Sequence, residues 1–394
     1  MSGPRVVVVG AGVAGTAAAW FLARGGARVS VLFDRAGSSA LMSGAVDGGE
    51  SAASSELDAD ARAFVEALGL WKLGPTTVAT REGVVRTAAG ADLALLDLEP
   101  LAGKHVAVAD VPRDDWDGPL LVEALVANPW AERTRTKFSL VPVSALRRGH
   151  ERRIASHDFA SLHDDSERLA ALAQLLVETG RGHDAWLLGP WLGVKPGTAS
   201  LLRRTVPVPV GETTSFVGGA AGARFDNARE ALLGARSIEV VRARVESIEP
   251  RGDRWAVGFV SGDERERNDE LEAAAVVMAT GGVAAGGIAF VWEPERGANG
   301  FRLSFAAPVA LCLDGQPGDS GGSLYGPSLE ARGLGVLERV GVVAGASGIA
   351  LRGKDPVPGL YVAGDALAGR PRTVLDAVVS GIRAARDALL KAQG

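Results

Sequence analysis

The stretch Val6–Gly15, VVVVGAGVAG, limits the fold more than any other part of the chain. Four β-branched residues in a row suit a strand buried on both faces. Gly10-Ala11-Gly12-Val13-Ala14-Gly15 then has G-x-G-x-x-G spacing. In such a turn the first glycine allows the tight bend, the second lets backbone meet a pyrophosphate, and the third lets the helix pack on the strand. Thr16–Ala23 continues as an alanine-rich helix that aims its N-terminal N–H groups at phosphate. Gly25-Gly26 ends it, and Ala27–Phe33 alternates as a second strand. The expected phosphate contacts are Gly10, Gly12, Val13, Ala14 and Gly15. An acid usually ends the second strand and takes the ribose hydroxyls. Here Phe33 holds that place and Asp34-Arg35 follows. Either Asp34 shifts in, with Arg35 beside it, or the ribose goes without a carboxylate.

Two uncharged runs, Val6–Ala23 and Ala273–Trp292, approach the length of a membrane span. Glycines break both, at Gly10, Gly12 and Gly15 and at Gly281, Gly282, Gly286 and Gly287. They read as buried parallel strands with a separate helix. The N-terminus MSGPR lacks the charged and apolar regions of a signal peptide. A chain of 394 residues is too long for one simple core, so two intertwined domains are expected. The net charge is −5 with no basic block, which argues against nucleic acid. The single cysteine, Cys312, excludes an intrachain disulfide and any iron–sulfur cluster held by this chain's own thiolates. His157-Asp158 and His163-Asp164-Asp165 match no ligand spacing, so no metal site is expected, and that stretch reads as surface. Ser43-Gly44 is not a nucleophile elbow, and no catalytic residue can be named.

Further pieces lie downstream. Ser237–Val241, Arg242–Pro250 and Trp255–Val260 read as strands, with a turn at Arg251-Gly252-Asp253. Ala274–Ala279 is an apolar strand that runs into Thr280-Gly281-Gly282. Gly359–Ala363 is a strand ending in Gly364-Asp365, and a helix follows from about Thr373 to Lys391. Fingerprint, Ala-Thr-Gly turn and Gly-Asp turn, in that order, resemble the two-dinucleotide-binding flavoprotein superfamily. The resemblance implies an α/β fold of the Rossmann-like FAD/NAD(P)-binding type, three layers (ββα), with an inserted α+β cap domain. The flavin domain is expected over 1–50, 224–300 and 351–394, and the cap over 51–223 and 301–350. Asp58–Leu70 and Ser166–Thr179 read as cap helices, and Pro207-Val208-Pro209 as an extended segment. The resemblance places Thr280 and Gly281 near the adenylate and Asp365, after Gly364, on the ribityl or pyrophosphate side. Arg370 and Arg372 then pass near the flavin ring or simply face water.

Within the superfamily, the chain resembles the B subunit of anaerobic glycerol-3-phosphate dehydrogenase. The resemblance rests on Ser38–Gly48, with Ser43-Gly44-x-x-Asp47; on Thr76–Ala91; on His105–Pro112; on Ala279–Ile288; and on Leu360–Leu367. It departs at Gly369-Arg370-Pro371-Arg372. It implies a flavin-dependent oxidoreductase of glycerol metabolism in which Ser43 and Gly44 contact the cofactor. The fingerprint favours FAD as that cofactor; the family favours FMN. It further implies electron transfer from glycerol 3-phosphate toward quinone through a sister catalytic flavoprotein subunit and a cysteine-rich iron–sulfur subunit. The location implied is cytoplasmic, peripheral on the inner membrane face through partners. The alternatives are a free-standing FAD-dependent oxidoreductase acting on another small substrate, and a non-catalytic protein of flavin fold.

Overall fold

The computed structural model describes residues 3–48, 57–261, 267–283, 285–292, 301–304, 306–307, 309, 311–313, 316–317, 340–370 and 372–394. The chain forms two compact units: Met1–Ser39 with Gly48–Phe64 and Ala231–Gly394, and Ala40–Asp47 with Val65–Glu230. The sequence placed an inserted domain at 51–223 and 301–350; in the structure the described residues of 301–350 fall in the first unit.

The first unit is built on an eight-stranded sheet. At its centre, Arg5–Val9 pairs in parallel with Arg28–Phe33 on one side and Ala275–Met278 on the other. Asp355–Val362 extends the parallel set beyond Ala275–Met278. The four valines divide as a two-sided strand requires. Val6 and Val8 pack with Ala14, Ala18, Leu22 and Ala384 of the helices Val13–Arg24 and Val374–Gln393. Val7 and Val9 pack on the other face with Trp255, Val257 and Met278. Helices, parallel sheet and an antiparallel set of strands thus make the α/β, Rossmann-like fold. That antiparallel set contains a correction. Ser237–Val241 and Arg242–Pro250 are not separate strands: Glu239–Arg251 is one strand. Its first residues pair in parallel with Ser30–Phe33, and its remainder pairs antiparallel with Arg254–Ser261. Nothing between Val241 and Arg242 breaks the alternation, so the strand simply changes partners.

The second unit carries a four-stranded parallel sheet in the order Lys137–Pro142, His105–Asp110, Ala185–Leu188, Val210–Glu212. A three-stranded antiparallel sheet joins Ala45–Val46, Val85–Asp92 and Trp71–Ala79. The helix Ser166–Thr179 falls where its 3.6-residue pattern put it. Asp165 caps it by accepting from the Arg168 N–H. Trp186 and Trp191 are buried in the core beside this sheet, which is the packing role expected of most tryptophans. The Pro207-Val208-Pro209 segment is bent rather than extended, and the short strand begins only at Val210. His163 is not at the surface. It is 1% exposed, its Nδ1 is 2.9 Å from the Trp191 carbonyl oxygen, and burial lowers its pKa to about 4.

Among the described residues no helix is long and apolar enough to cross a membrane. The first uncharged run is the strand Arg5–Val9 followed by the helix Val13–Arg24. The second contains the strands Ala275–Met278 and Ala289–Trp292.

Candidate cofactor site

Three sequence pieces meet at the carboxyl ends of adjacent parallel strands. The Gly10 N–H donates to the Leu32 carbonyl at 2.7 Å, and the Ala279 N–H donates to the Val9 carbonyl at 2.8 Å. The Ala363 N–H donates to the Met278 carbonyl at 2.9 Å. The fingerprint, the Ala279-Thr280-Gly281 turn and the Gly364-Asp365 turn therefore line one edge of the sheet. In open α/β sheets ligands bind along that edge.

Gly10 has φ +107°, and a Cβ there would lie 2.2 Å from the Ala279 carbonyl oxygen. A Cβ at Gly15 would lie 1.9 Å from the Gly10 carbonyl oxygen, which is the close helix–strand approach expected of the third glycine. At Gly12 the surroundings differ: only Ser39 stands within 4 Å of a Cβ built there, its Oγ at 3.0 Å. Gly12 caps the helix with no side-chain hydrogen bond. The Val13 N–H donates to Ser39 Oγ at 3.0 Å, and Val13 and Ala14 are buried in the first turn. A bare backbone edge beside a helix N-terminus suits a phosphate. The cradle fits a dinucleotide.

Asp365 lies in the turn Gly364–Ala366, and Ser38 Oγ donates to its Oδ2 at 3.3 Å. Burial raises the Asp365 pKa, while the Arg372 guanidinium and the Ser38 hydroxyl pull it back. Arg372 donates from Nη2 to the Val340 carbonyl at 2.8 Å. It stands over the Ala-Thr-Gly-Gly loop, because a Cβ at Gly282 would lie 2.2 Å from its Nη1. Arg372 is therefore a structural neighbour of Asp365, whereas Arg370 is exposed.

The remaining expected residues sit as follows. Asp34 is exposed at the bend after the second strand, and its backbone oxygen accepts from Arg242 Nε at 3.3 Å. Arg35 is exposed beside Gly286, whose Cβ would lie 2.1 Å from its Nη2. Ser43 and Gly44 belong to the second unit. The Ser43 carbonyl accepts from the Ser215 N–H at 2.8 Å, and the Gly44 carbonyl from the Asp92 N–H at 2.7 Å. Ser38 and Ser39 were missed as site residues. The serine pair after the second strand was the available signal.

The second unit holds a buried charge cluster that no motif announced. Arg224 is 2% exposed and lies between two carboxylates. Its Nε donates to Asp92 Oδ2 at 2.8 Å, its Nη2 to Glu212 Oε2 at 2.6 Å, and its Nη1 to the Gly193 carbonyl at 2.8 Å. The Leu192 N–H donates to Glu212 Oε1. Burial pushes the Glu212 pKa up to about 7 against the pull of Arg224.

A family model described as FAD dependent oxidoreductase (DAO) matches residues 5–109. No curated protein matches the chain. Among solved structures, the open conformation of a flavocytochrome c3 fumarate reductase is 13% identical, over 99% of this chain and 79% of that one, with a TM-score of 0.39. A 3-ketosteroid delta1-dehydrogenase from Sterolibacterium denitrificans is 14% identical, over 98% and 99%, with a TM-score of 0.38. OxyS anhydrotetracycline hydroxylase from Streptomyces rimosus is 13% identical over 74% of this chain, which spans 35% of its length, with a TM-score of 0.28. Likenesses this loose fix neither substrate nor partner. The fingerprint strand, its helix and the second strand lie inside the matched stretch. The cofactor is a flavin, and the matched description favours FAD.

Proposed function

We propose that the chain is a flavin-dependent oxidoreductase serving as the second flavoprotein subunit of a glycerol-3-phosphate dehydrogenase. The observation that carries the flavin part is the meeting of Gly10, Ala279 and Ala363 at one sheet edge. The finer assignment rests on the resemblance at Ser38–Gly48, Ala279–Ile288 and Leu360–Leu367. The turn Gly10–Gly15 and the helix after it hold phosphate, and Asp365 lies on the ribityl or pyrophosphate side, where its carboxylate orients hydroxyls. A flavin held here would accept the two electrons that the sister subunit removes from the alcohol carbon and pass them on. Relay toward a quinone pool calls for one-electron carriers, and iron–sulfur clusters need several thiolates. Cys312 is the only cysteine, so the exit path belongs to a cysteine-rich partner, and membrane contact is made through that partner.

The test is flavin identification on the purified full chain, followed by dye reduction with glycerol 3-phosphate, alone and with candidate partner subunits. The expected result is bound flavin, no turnover alone and turnover in the complex. Robust turnover by the isolated chain overturns the subunit reading and favours a free-standing oxidoreductase. A chain without flavin overturns both.

A further inference from the structure

A groove in the first unit shares Gly364 with the Gly-Asp turn but is otherwise lined by residues outside the three cofactor pieces. It runs between the loop Ala344–Gly348 and the helix Val374–Gln393, and it encloses about 60 Å³. Arg370 and Arg383 line it, with Gly345, Asp376 and Ser380. The helix faces are distinct. Gly381 faces the fingerprint helix, where a Cβ would lie 2.3 Å from the Ala14 carbonyl oxygen. At about 100° per residue, Arg383 lies roughly 200° around the helix from Gly381, so the groove is on the far side.

The polar groups of this groove are unequally committed. Asp376 accepts from Thr373 Oγ1 at 2.6 Å and serves the helix cap. Ser380 Oγ donates to the Asp376 carbonyl at 2.7 Å and accepts from the Gly364 N–H at 2.9 Å. The two guanidiniums are different: among the described residues neither Arg370 nor Arg383 makes an ion pair or a side-chain hydrogen bond. Both guanidiniums are exposed and share the groove with one carboxylate, Asp376, so the lining carries a net positive charge that attracts an oxyanion. Guanidinium forks suit the paired oxygens of phosphate and carboxylate. Roughly 10–15 Å³ of such space holds one water, so about 60 Å³ has room for a small anionic head group.

We propose that this groove binds a small oxyanion, the head group of a phosphate ester or a carboxylate, at a site separate from the flavin cradle. Gly364 lines the groove and also opens the turn that carries Asp365, so the two sites share a loop.

The test is calorimetric titration of the full chain with inorganic phosphate and, separately, acetate in low-salt buffer, with Arg370→Ala, Arg383→Ala and Arg383→Lys alongside. Saturable binding is expected. Each alanine variant should weaken it about tenfold or more, the loss of one charge-assisted contact, with Arg383→Lys intermediate and flavin content unchanged. Preference for phosphate identifies a phosphate ester as the natural ligand; preference for acetate identifies a carboxylate. Absence of saturable binding of either anion, or equal affinity in both alanine variants, means two solvated arginines and overturns the proposal.

Discussion

Ser38 Oγ donates to Asp365 Oδ2 across 3.3 Å, tying the segment after the second strand to the turn after the last parallel strand. The two residues are far apart in sequence and meet only because their strands end at one edge. Asp365→Ala should therefore weaken flavin retention by about 1–3 kcal/mol, the scale of a hydrogen bond to a charged group. Asp365→Asn should lose part of that. The raised Asp365 pKa adds a pH signature. Binding that uses the carboxylate should fade, on acidification, at a higher pH than an ordinary aspartate would give. Flavin fluorescence titration of the apoprotein across acid pH checks both expectations; unchanged affinity in Asp365→Ala removes the residue from the site.

Gly12 and Gly15 separate cofactor binding from folding. A Cβ at Gly12 meets only the Ser39 side chain, which can turn away. Gly12→Val should fold with a near-normal melting temperature and lose its yellow colour. A Cβ at Gly15 meets the Gly10 backbone at 1.9 Å, and backbone cannot turn away. Gly15→Ala should instead destabilise the unit by several kcal/mol, an overpacking cost above the usual ~1–3 kcal/mol because the obstacle is main chain. Circular dichroism melts and flavin stoichiometry distinguish the two outcomes. A fully flavinated Gly12→Val would contradict the cradle.

The fingerprint and the Gly-Asp turn were legible because each is local: a strand, a bend with defined backbone needs, and a helix cap. The change of partner between Arg242 and Ala243 was not, since residues on either side read as strand whichever neighbour they have. The placement of Ser43 and Gly44 with Ser215 and Asp92 was hidden for another reason. Their turn chemistry is readable in sequence, but the sheet it serves is closed by residues far down the chain. His163 was misread because a His-Asp-Asp run looks hydrophilic. Asp164 in fact accepts from the Val194 N–H at 3.1 Å and from Thr198 Oγ1 at 2.6 Å, while the neighbouring histidine turns into the core.

Arg224 shows what long-range charge pairing does that no motif predicts. Its removal leaves Asp92 and Glu212 buried beside each other without their shared cation. Arg224→Ala should cost about 3–5 kcal/mol, the usual loss when one partner of a buried pair is deleted. Arg224→Lys should recover only part of this, because an ammonium cannot match the fork that reaches Asp92, Glu212 and the Gly193 carbonyl together. Urea unfolding of the three proteins at neutral pH measures the difference; a loss under about 1 kcal/mol would make the cluster a minor contributor.

Glu212 and His163 should give the protein a pH profile in which two buried groups oppose each other. Glu212 rises from 4.5 to about 7, with burial as the largest cause. Across that range the fold keeps a proton that the unfolded chain has released. Stability from this group is complete below about 4.5 and is lost as pH climbs to about 7. His163 falls from 6.5 to about 4, again through burial. Here the unfolded chain holds the extra proton, so stability from this group is lost as pH falls from about 6.5 to about 4. Between about 4.5 and 6.5 the two contributions have opposite signs, each limited to about 1.4 kcal/mol per pH unit. The wild-type contribution of the pair should be nearly flat there and decline only toward pH 7. Glu212→Gln removes one side of the balance. It should be less stable at acid pH, because its amide offers one acceptor where Arg224 and the Leu192 N–H need two. Its stability should then rise with pH relative to wild type up to about 7. Urea midpoints of both proteins, measured at intervals from pH 5 to 8, yield this difference directly. Parallel curves would show that Glu212 is ionised throughout and that Arg224 outweighs burial.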